Sequence, residues 1–500
     1  CTPWGCDKQT ESERNTTMRK TITILLLLSM LSAMASCSGT EKETIKETET
    51  NTTAETETEE ADPLAGLERL DMEGYAFRQL IRNSDSWVAD MIAEEQTGEV
   101  VNDAVFRRNT EVEERFQCSF TYSRSSDSNY ETDAKQSILA GDDAYEWIVG
   151  HPRAVAEYAN DGLAMDWNSL KYIDLTKSYW DQDAVENFKL PGGIFWMTGD
   201  ISYKSVGAAV CMLFNKDYFK NSNLEFPYQT VKDGGWTFDY FGKIVQDYSQ
   251  DLDGDGVIGH NDIYGYVSFY WVGPIEAFVC SGSRVVTSEK ENYAFDVFNE
   301  RSLAMYEKFF SLMQSPNTYL DLEGGNNLEL FRDGHSLFVD ACVTDVKVMR
   351  EMEHEFGILP WPKYDEQSAY MANVEAGSNM IFVPITNHVA DNTSMVLEAL
   401  AILGREYVIP AYYDVALKTR DSRDEESAAM LDIIVGNRIF DLGYYNTALG
   451  GAYASHFAEL AKNPSQEFAS WYEKKLNTAT TARDKVLEAY RERAIANGNA

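Results

Sequence analysis

The sequence predicts an α/β protein, and three observations carry that reading. Short β-rich segments alternate with helical periodicity from Tyr75 to Val149; Val206 to Phe214, VGAAVCMLF, is an unbroken apolar run of strand length; and a second series of helical and strand-like segments follows it. Alternation of this kind implies a largely parallel sheet with helices packed on its faces.

Taken in order, Tyr75 to Ile81 reads as a first strand. Asp103 to Phe116 is helical, with Val105, Val112 and Phe116 near one face. Cys118 to Tyr122 returns to strand, Tyr130 to Ala140 is helical, and Tyr145 to Val149 is strand again, completing a βαβαβ run. The apolar run 206 to 214 lacks polar alternation, so it is expected to be buried on both faces. Thr237 can cap a helix whose stripe is Phe238, Phe241, Ile244, Val245 and Tyr248, with Asp239 favourable at its positive end. Trp236 then precedes the cap and Phe241 is the fourth helical residue, the spacing of a hydrophobic staple. Arg301 to Met313 is a further helix; Leu337 to Val343, Phe356 to Pro360 and Met380 to Pro384 are strands; a mainly helical stretch runs on to Asn497-Gly498. No repeat of a few tens of residues is evident, which argues against solenoids and propellers.

Met18 to Cys37, MRKTITILLLLSMLSAMASC, has the form of a lipoprotein export signal. Arg19 and Lys20 supply positive charge, Ile22 to Leu31 the apolar run, and Ala35-Ser36 the small pair before Cys37. A spanning helix needs about 20 apolar residues, so this run is short for one. Residues 1–17 precede the first methionine and are read as an upstream artefact, 18–36 as the signal, and 37–63 as a lipidated cysteine with a tether. Glu41 to Asp62 has almost no apolar content, cannot offset its ordering entropy, and extended would span roughly 3.3 Å per residue.

The formal charge of -38 argues against nucleic acid as a partner, because a polyanion would be repelled. Of the seven cysteines, Cys118, Cys211, Cys280 and Cys342 lie in the body, each in an apolar setting and at no metal-binding spacing. Two disulfides are compatible with an extracellular site; free buried thiols are favoured.

Asp251 to Asp262, DLDGDGVIGHND, has the ligand spacing of a calcium loop. Asp251, Asp253 and Asp255 offer carboxylates at positions 1, 3 and 5, Gly256 allows the sharp turn, Val257 offers a carbonyl, and Asp262 closes the loop. A hard divalent cation would offset the repulsion of four clustered carboxylates, so structural Ca2+ is expected. A strand-like stretch follows rather than a second helix, as suits a rigid clip. Catalytic signatures are poor: no HExxH, no GxSxG and no phosphate-binding Gly-Lys loop occur, although a dispersed carboxylate pair of the glycosidase kind needs no local motif. Trp87, Trp147, Trp167, Trp180, Trp196, Tyr203, Tyr270 and Trp271 fall at expected loop positions, where flat rings suit sugar faces; for each alone, core packing is favoured.

The order of segments resembles the extracellular solute-binding proteins of bacterial ABC importers, the group that includes the maltose-binding protein. The resemblance rests on the export signal, on the apolar strand running into Asn215-Lys216-Asp217-Tyr218-Phe219, on Trp236-Thr237-Phe238-Asp239 before the Asp-rich loop, on Phe356 to Lys363 (FGILPWPK), and on Ala376 to Pro384 (AGSNMIFVP). It implies a two-lobed fold of the periplasmic-binding-protein type II with crossing hinge strands. Lobe 1 would comprise 64–205 plus 356–395, and lobe 2 206–355 plus 396–500. It further implies a binding protein rather than an enzyme, monomeric, anchored through Cys37 to the outer face of the cytoplasmic membrane, capturing a carbohydrate by hinge closure and delivering it to permease subunits. Ligand contacts would come from loops after strands: Arg82, Asn83, Asp85 and Trp87; His151 and Arg153; Tyr203; Tyr270 and Trp271; and Ser378. A lipid-anchored glycoside hydrolase and a transporter-independent glycan-capture protein are the alternatives.

Overall fold

The structure is a computed structural model that describes residues 62–125, 132–288, 292–421, 424–463 and 466–498. Cys37, its export segment and residues 41–61 of the tether lie outside the described residues.

The described strands are β1 (Tyr75–Ile81), β2 (Cys118–Arg124), β3 (Trp147–Gly150), β4 (Val210–Asn215), β5 (Tyr264–Phe269), β6 (Thr318–Asp321), β7 (Ser336–Cys342), β8 (Phe356–Leu359), β9 (Ala372–Asn373), β10 (Met380–Phe382) and β11 (Arg438–Ile439). They form two main sheets. The first has the order β10-β3-β1-β2, with β1 parallel to both β2 and β3 and β10 antiparallel to β3. The second has the order β6-β5-β7-β4-β8, with β5 parallel to β6 and β7, and β4 antiparallel to β7 and β8. β9 and β11 pair as a small parallel ribbon.

The first sheet is the expected βαβαβ run: helices Val100–Phe116 and Thr132–Ala140 make the two right-sized crossovers. Glu99 caps the first, its carboxylate accepting from Val101 N and Asn102 N. In the second sheet every residue of β4 is buried, which explains its lack of polar alternation. Trp236 is fully buried, 5.9 Å from the Phe241 ring, and donates its indole N–H to Pro360 O; Thr237 caps the helix Phe238–Gln246 through Tyr240 N. Both staple and cap are as the spacing predicted.

The lobe boundaries differ from expectation at one strand. Residues 356–395 were expected in lobe 1, yet β8 joins the second sheet through β4, Met212 facing Leu359 and Asn215 facing Phe356; of that range only β10 enters the first sheet. An apolar strand four residues long carries no sign of which sheet it completes, so local pattern could not decide this. The stretch 396–500 likewise does not belong to lobe 2 alone. Glu398 accepts from Trp180 Nε1 at 3.0 Å, and Tyr490 donates to Asn160 Oδ1 at 3.0 Å, both in lobe 1, whereas Phe468 packs 5.0 Å from Tyr306 in lobe 2.

The chain crosses between the sheets in neighbouring segments. Ala209 pairs antiparallel with Val374, Glu375 N donates to Ala208 O at 2.9 Å, and Met197 and Ile381 exchange a pair of backbone hydrogen bonds. Between Gly404 and Asp421 the chain is largely π-helical, a form concentrated at functional sites. Gly404 is required by close approach there: a Cβ would lie 2.1 Å from Asp200 O.

Candidate functional site

A cleft opens between the sheets, lined at the carboxyl ends of β5 and β7 on one side and by Tyr203, Lys204 and the helix after β1 on the other. Such carboxyl-end crevices are where open α/β sheets bind ligands. Its inner chamber has a volume of about 340 Å³ and is walled by Tyr203, Phe269, Trp271, Asp340, Glu375 and Tyr412, among others. An outer chamber of about 530 Å³ shares Tyr203, Lys204, Asp345 and Tyr412 with it and adds Trp87.

Asp90 fixes the lobe 1 wall. It is fully buried on the helix Asp85–Met91, and its carboxylate accepts from Tyr203 N at 2.9 Å and from Ser202 Oγ and Asn379 Nδ2, tying two crossing segments to one helix. Burial pushes its carboxyl up. Buried Arg108 donates to Ile201 O at 2.8 Å and Met91 O at 2.9 Å, holding the same junction from behind. Tyr203 is thereby set against Tyr412, with ring centroids 4.5 Å apart and planes 28° from parallel.

Asp340, fully buried on β7, fixes the lobe 2 wall. It accepts from Ser268 Oγ and Phe269 N, each at 3.2 Å, and thus sets the turn that presents Phe269 and Trp271. Gly273 makes this turn possible: a Cβ would lie 2.2 Å from Ser268 Oγ and 2.7 Å from Asp340 Oδ2. Burial pushes the Asp340 carboxyl up to about 8 and that of Asp345, which accepts from Cys342 N at 2.8 Å, up to about 6. Glu375, on the crossing segment, accepts from Gly377 N and is raised by burial as well. Three carboxyl groups and four aromatic rings therefore line one cavity, the combination that stacks on sugar faces while exchanging hydrogen bonds with hydroxyls.

Of the residues singled out in the sequence, Tyr203 and Trp271 line the inner chamber, and Trp87 lines the outer one with Tyr203. Arg82 lies 4.3 Å from the Trp87 ring, and Arg153 is held between Trp271 at 5.0 Å and Tyr444 at 4.9 Å, so both guanidiniums support cleft aromatics. Ser378 is buried directly behind Gly377 of the wall. His151 caps the helix Pro152–Asn160 by accepting from Arg153 N at 3.2 Å; burial, with Arg82 and Arg153 nearby, holds it neutral down to about 3. Asn83 and Asp85 are exposed, and Asp85 pairs with Arg124 at 2.6 Å instead. The Tyr270 ring is covered by Lys462 Nζ at 3.9 Å and does not line the cavity. Trp147, Trp167, Trp180 and Trp196 are all fully buried core residues.

Sequence reasoning missed Asp340, Asp345, Glu375, Lys204 and Tyr412. Asp340 had a signal, being the one charge inside SLFVDAC, the β7 run. A lone carboxylate in an otherwise apolar strand requires buried donors or a ligand.

The four body cysteines are free and buried. Val210 faces Cys342 and Cys211 faces Ala341 in the β4/β7 register, so those two thiols point to opposite faces of the sheet.

In the acidic loop, carboxylate oxygens of Asp251, Asp253 and Asp255 lie within 4.8 Å of one another on exposed residues. Asp251 accepts from Gly254 N and Gly256 N, at 2.6 and 2.8 Å. Asp262 is buried, accepting from Leu252 N at 2.8 Å and Gly259 N at 2.7 Å, and so closes the loop by hydrogen bonds to its backbone. Val257, at the carbonyl position, is 67% exposed.

Two lobes, each a sheet covered by helices, crossing segments between them and a cleft at their strand ends define the periplasmic-binding-protein architecture of type II. Among solved structures, the chain is similar to the cyclic α-maltosyl-1,6-maltose binding protein of Arthrobacter globiformis, at 14% identity and a TM-score of 0.55 over 85% of this chain and 98% of that one. It is similar also to the GacH receptor of Streptomyces glaucescens, studied with acarbose (11%, TM-score 0.52, 84% and 98%), and to UgpB of Mycobacterium tuberculosis in complex with glycerophosphocholine (12%, TM-score 0.52, 84% and 99%). At these identities the likeness is one of fold. No protein-family model matches the chain, and no curated protein does.

Proposed function

We propose that this protein is the substrate-binding component of an ABC importer and captures a carbohydrate or oligosaccharide between its lobes. The observation that carries the reading is the inner chamber, where Phe269, Trp271, Tyr203 and Tyr412 surround Asp340, Asp345 and Glu375 between the two sheets. Rings from both sides stack on a sugar, the carboxyl groups hydrogen-bond its hydroxyls, and contacts made by both lobes favour the closed form over the open one. The fold it shares with sugar-binding receptors supports the same reading. Calorimetric titration against a sugar library is expected to give a binder that also compacts the protein in solution scattering. Uniformly negative titrations would remove the carbohydrate assignment, and release of new reducing ends from a glycan would replace binding with hydrolysis.

The proposal includes anchoring. Cys37 carries the lipid at the outer face of the cytoplasmic membrane, and the tether gives the body room to meet permease subunits. A Cys37→Ser variant is expected in the medium; retention at the membrane would refute the anchor. Ca2+ is proposed at Asp251, Asp253 and Asp255, whose clustered oxygens suit a hard cation, with the Val257 carbonyl and Asp262 completing the loop.

A further inference from the structure

The Trp271 ring, a wall of the inner chamber, touches a cation that belongs to the other lobe. Trp271 follows β5 of the second sheet, whereas Arg153 follows β3 of the first, and the Arg153 guanidinium lies 5.0 Å from the Trp271 centroid. Tyr444 makes the second contact, at 4.9 Å, and its hydroxyl donates to Glu375 Oε1 at 3.4 Å. A cation beside a ring is common in folded proteins; this one stands apart in two respects.

The first is desolvation. Nε and Nη2 of Arg153 are buried and have no hydrogen-bond partner among the described residues. N–H groups withdrawn from water without replacement cost free energy. What holds the charge there is the pair of rings, helped by the Glu375 carboxyl, which Arg153 draws down against the upward push of burial. A cation is attracted to a ring most strongly when water is excluded in this way.

The second is that both mounts are fixed. Arg153 is the second residue of the helix Pro152–Asn160, and its backbone N–H donates to the His151 ring that caps that helix. Trp271 lies just beyond Phe269, whose N–H donates to the buried Asp340 carboxyl, and the neighbouring Tyr270 ring is covered by Lys462. Neither backbone is free to follow the other as the lobes part, so lobe separation is felt directly between guanidinium and ring.

We infer that Arg153 is a positioning residue that works across the cleft. From lobe 1 it clasps the Trp271 ring of lobe 2, which favours the closed form and steadies the ring as a chamber wall only while the lobes are together. The part played by the ring in holding a ligand rests on the proposed function; the clasp itself does not, and its test needs no ligand.

Trp271 is the one tryptophan among the described residues that is not buried. Acrylamide quenching of the fluorescence of the full chain, with no sugar added, therefore reports on its ring, and Trp271→Phe is the control that removes the quenchable part. Arg153→Met keeps much of the side-chain bulk and removes the cation. It is expected to lower the closed-to-open ratio about fivefold, seen as stronger quenching together with a larger radius of gyration in solution scattering. The melting temperature should move by only about 2 °C. Arg153→Lys, which keeps the charge and loses the planar guanidinium, should fall between the two, and it carries the test if the methionine variant does not fold. Unchanged quenching would overturn the inference. So would stronger quenching at an unchanged radius of gyration, which would make the contact local to one wall. Negative sugar titrations would remove the carbohydrate reading and leave the clasp standing.

Discussion

Tyr203 and Tyr412 stack at 4.5 Å across the line where the inner and outer chambers of the cleft meet, and both chambers count the two rings among their walls. One ring comes from a crossing segment and the other from the π-helical stretch, so the partition spans parts of the chain more than 200 residues apart. Removing either ring joins the chambers. Tyr412→Ala is expected to weaken ligand binding about tenfold, the upper end of what an aromatic pair contributes. Tyr412→Phe should keep most of that affinity. Calorimetry on both variants checks the pair.

Trp271 is half-buried, with the Arg153 guanidinium and the edge of the Tyr270 ring against it. Trp271→Ala should therefore cost binding far more than stability. A drop in affinity of at least tenfold with a melting temperature shifted by only about 2 °C is the expected outcome. Equal affinity would place the stacking surface elsewhere.

Trp236 predicts the opposite partition. It is fully buried among Phe241, Phe338 and Tyr240, and its N–H is satisfied by Pro360 O. Trp236→Ala should cost about 3–5 kcal/mol of unfolding free energy, read by urea denaturation. The fraction that remains folded should bind ligand normally, since Trp236 lies outside both chambers.

Buried acids give stability a defined pH slope. Burial pushes both Asp340 and Glu276 up to about 8, whereas unfolded they titrate near about 4. Between those values the folded chain holds protons that the unfolded chain has lost, so stability falls as pH rises from about 4 to about 8. His151 and His456, held near 3 by burial, act in the other direction, but only below about pH 6.5. The acids are thus seen alone between about pH 7 and 8. There the unfolding free energy should decline, and Asp340→Asn should flatten the decline; a rise over that range would refute it.

The acidic loop predicts a metal-linked stability. Millimolar Ca2+ should raise the melting temperature and a chelator should reverse the rise, because a ligand bound only by the folded state stabilises it by mass action. Asp253→Asn should abolish the response. Asp262→Asn, by contrast, should lower stability even in chelator, since that carboxylate accepts from Leu252 N and Gly259 N.

Much of this was legible in the sequence, for local reasons. The βαβαβ run, the buried strand β4, the Thr237 cap and the Trp236 staple are each decided by residues close together in the chain. The site was read less completely. Trp87, Tyr203 and Trp271, which line the chambers, were legible as aromatic residues near strand ends. Asp85 and Tyr270 share those loops, and only side-chain direction separates them from the lining residues. Tyr412 sits in a helical stretch with no distinguishing pattern, and its place opposite Tyr203 is made by tertiary packing alone. β8 was placed with the wrong sheet because four apolar residues specify burial but not a neighbour.

The helix Phe468–Ala496 is 29 residues long, roughly 43 Å at about 1.5 Å per residue. Its first turn is seated on Tyr306 and Phe298 of one lobe, and its last on Asn160 and Phe195 of the other. Such a rod works as a leaf spring riveted to two plates. A rod held at both ends would resist shear between the lobes while yielding to a shallow flex, and so would confine their relative travel to a swing about its own line. Each arrival and departure of a ligand would then retrace one arc, and the gap between the lobes would be a single variable.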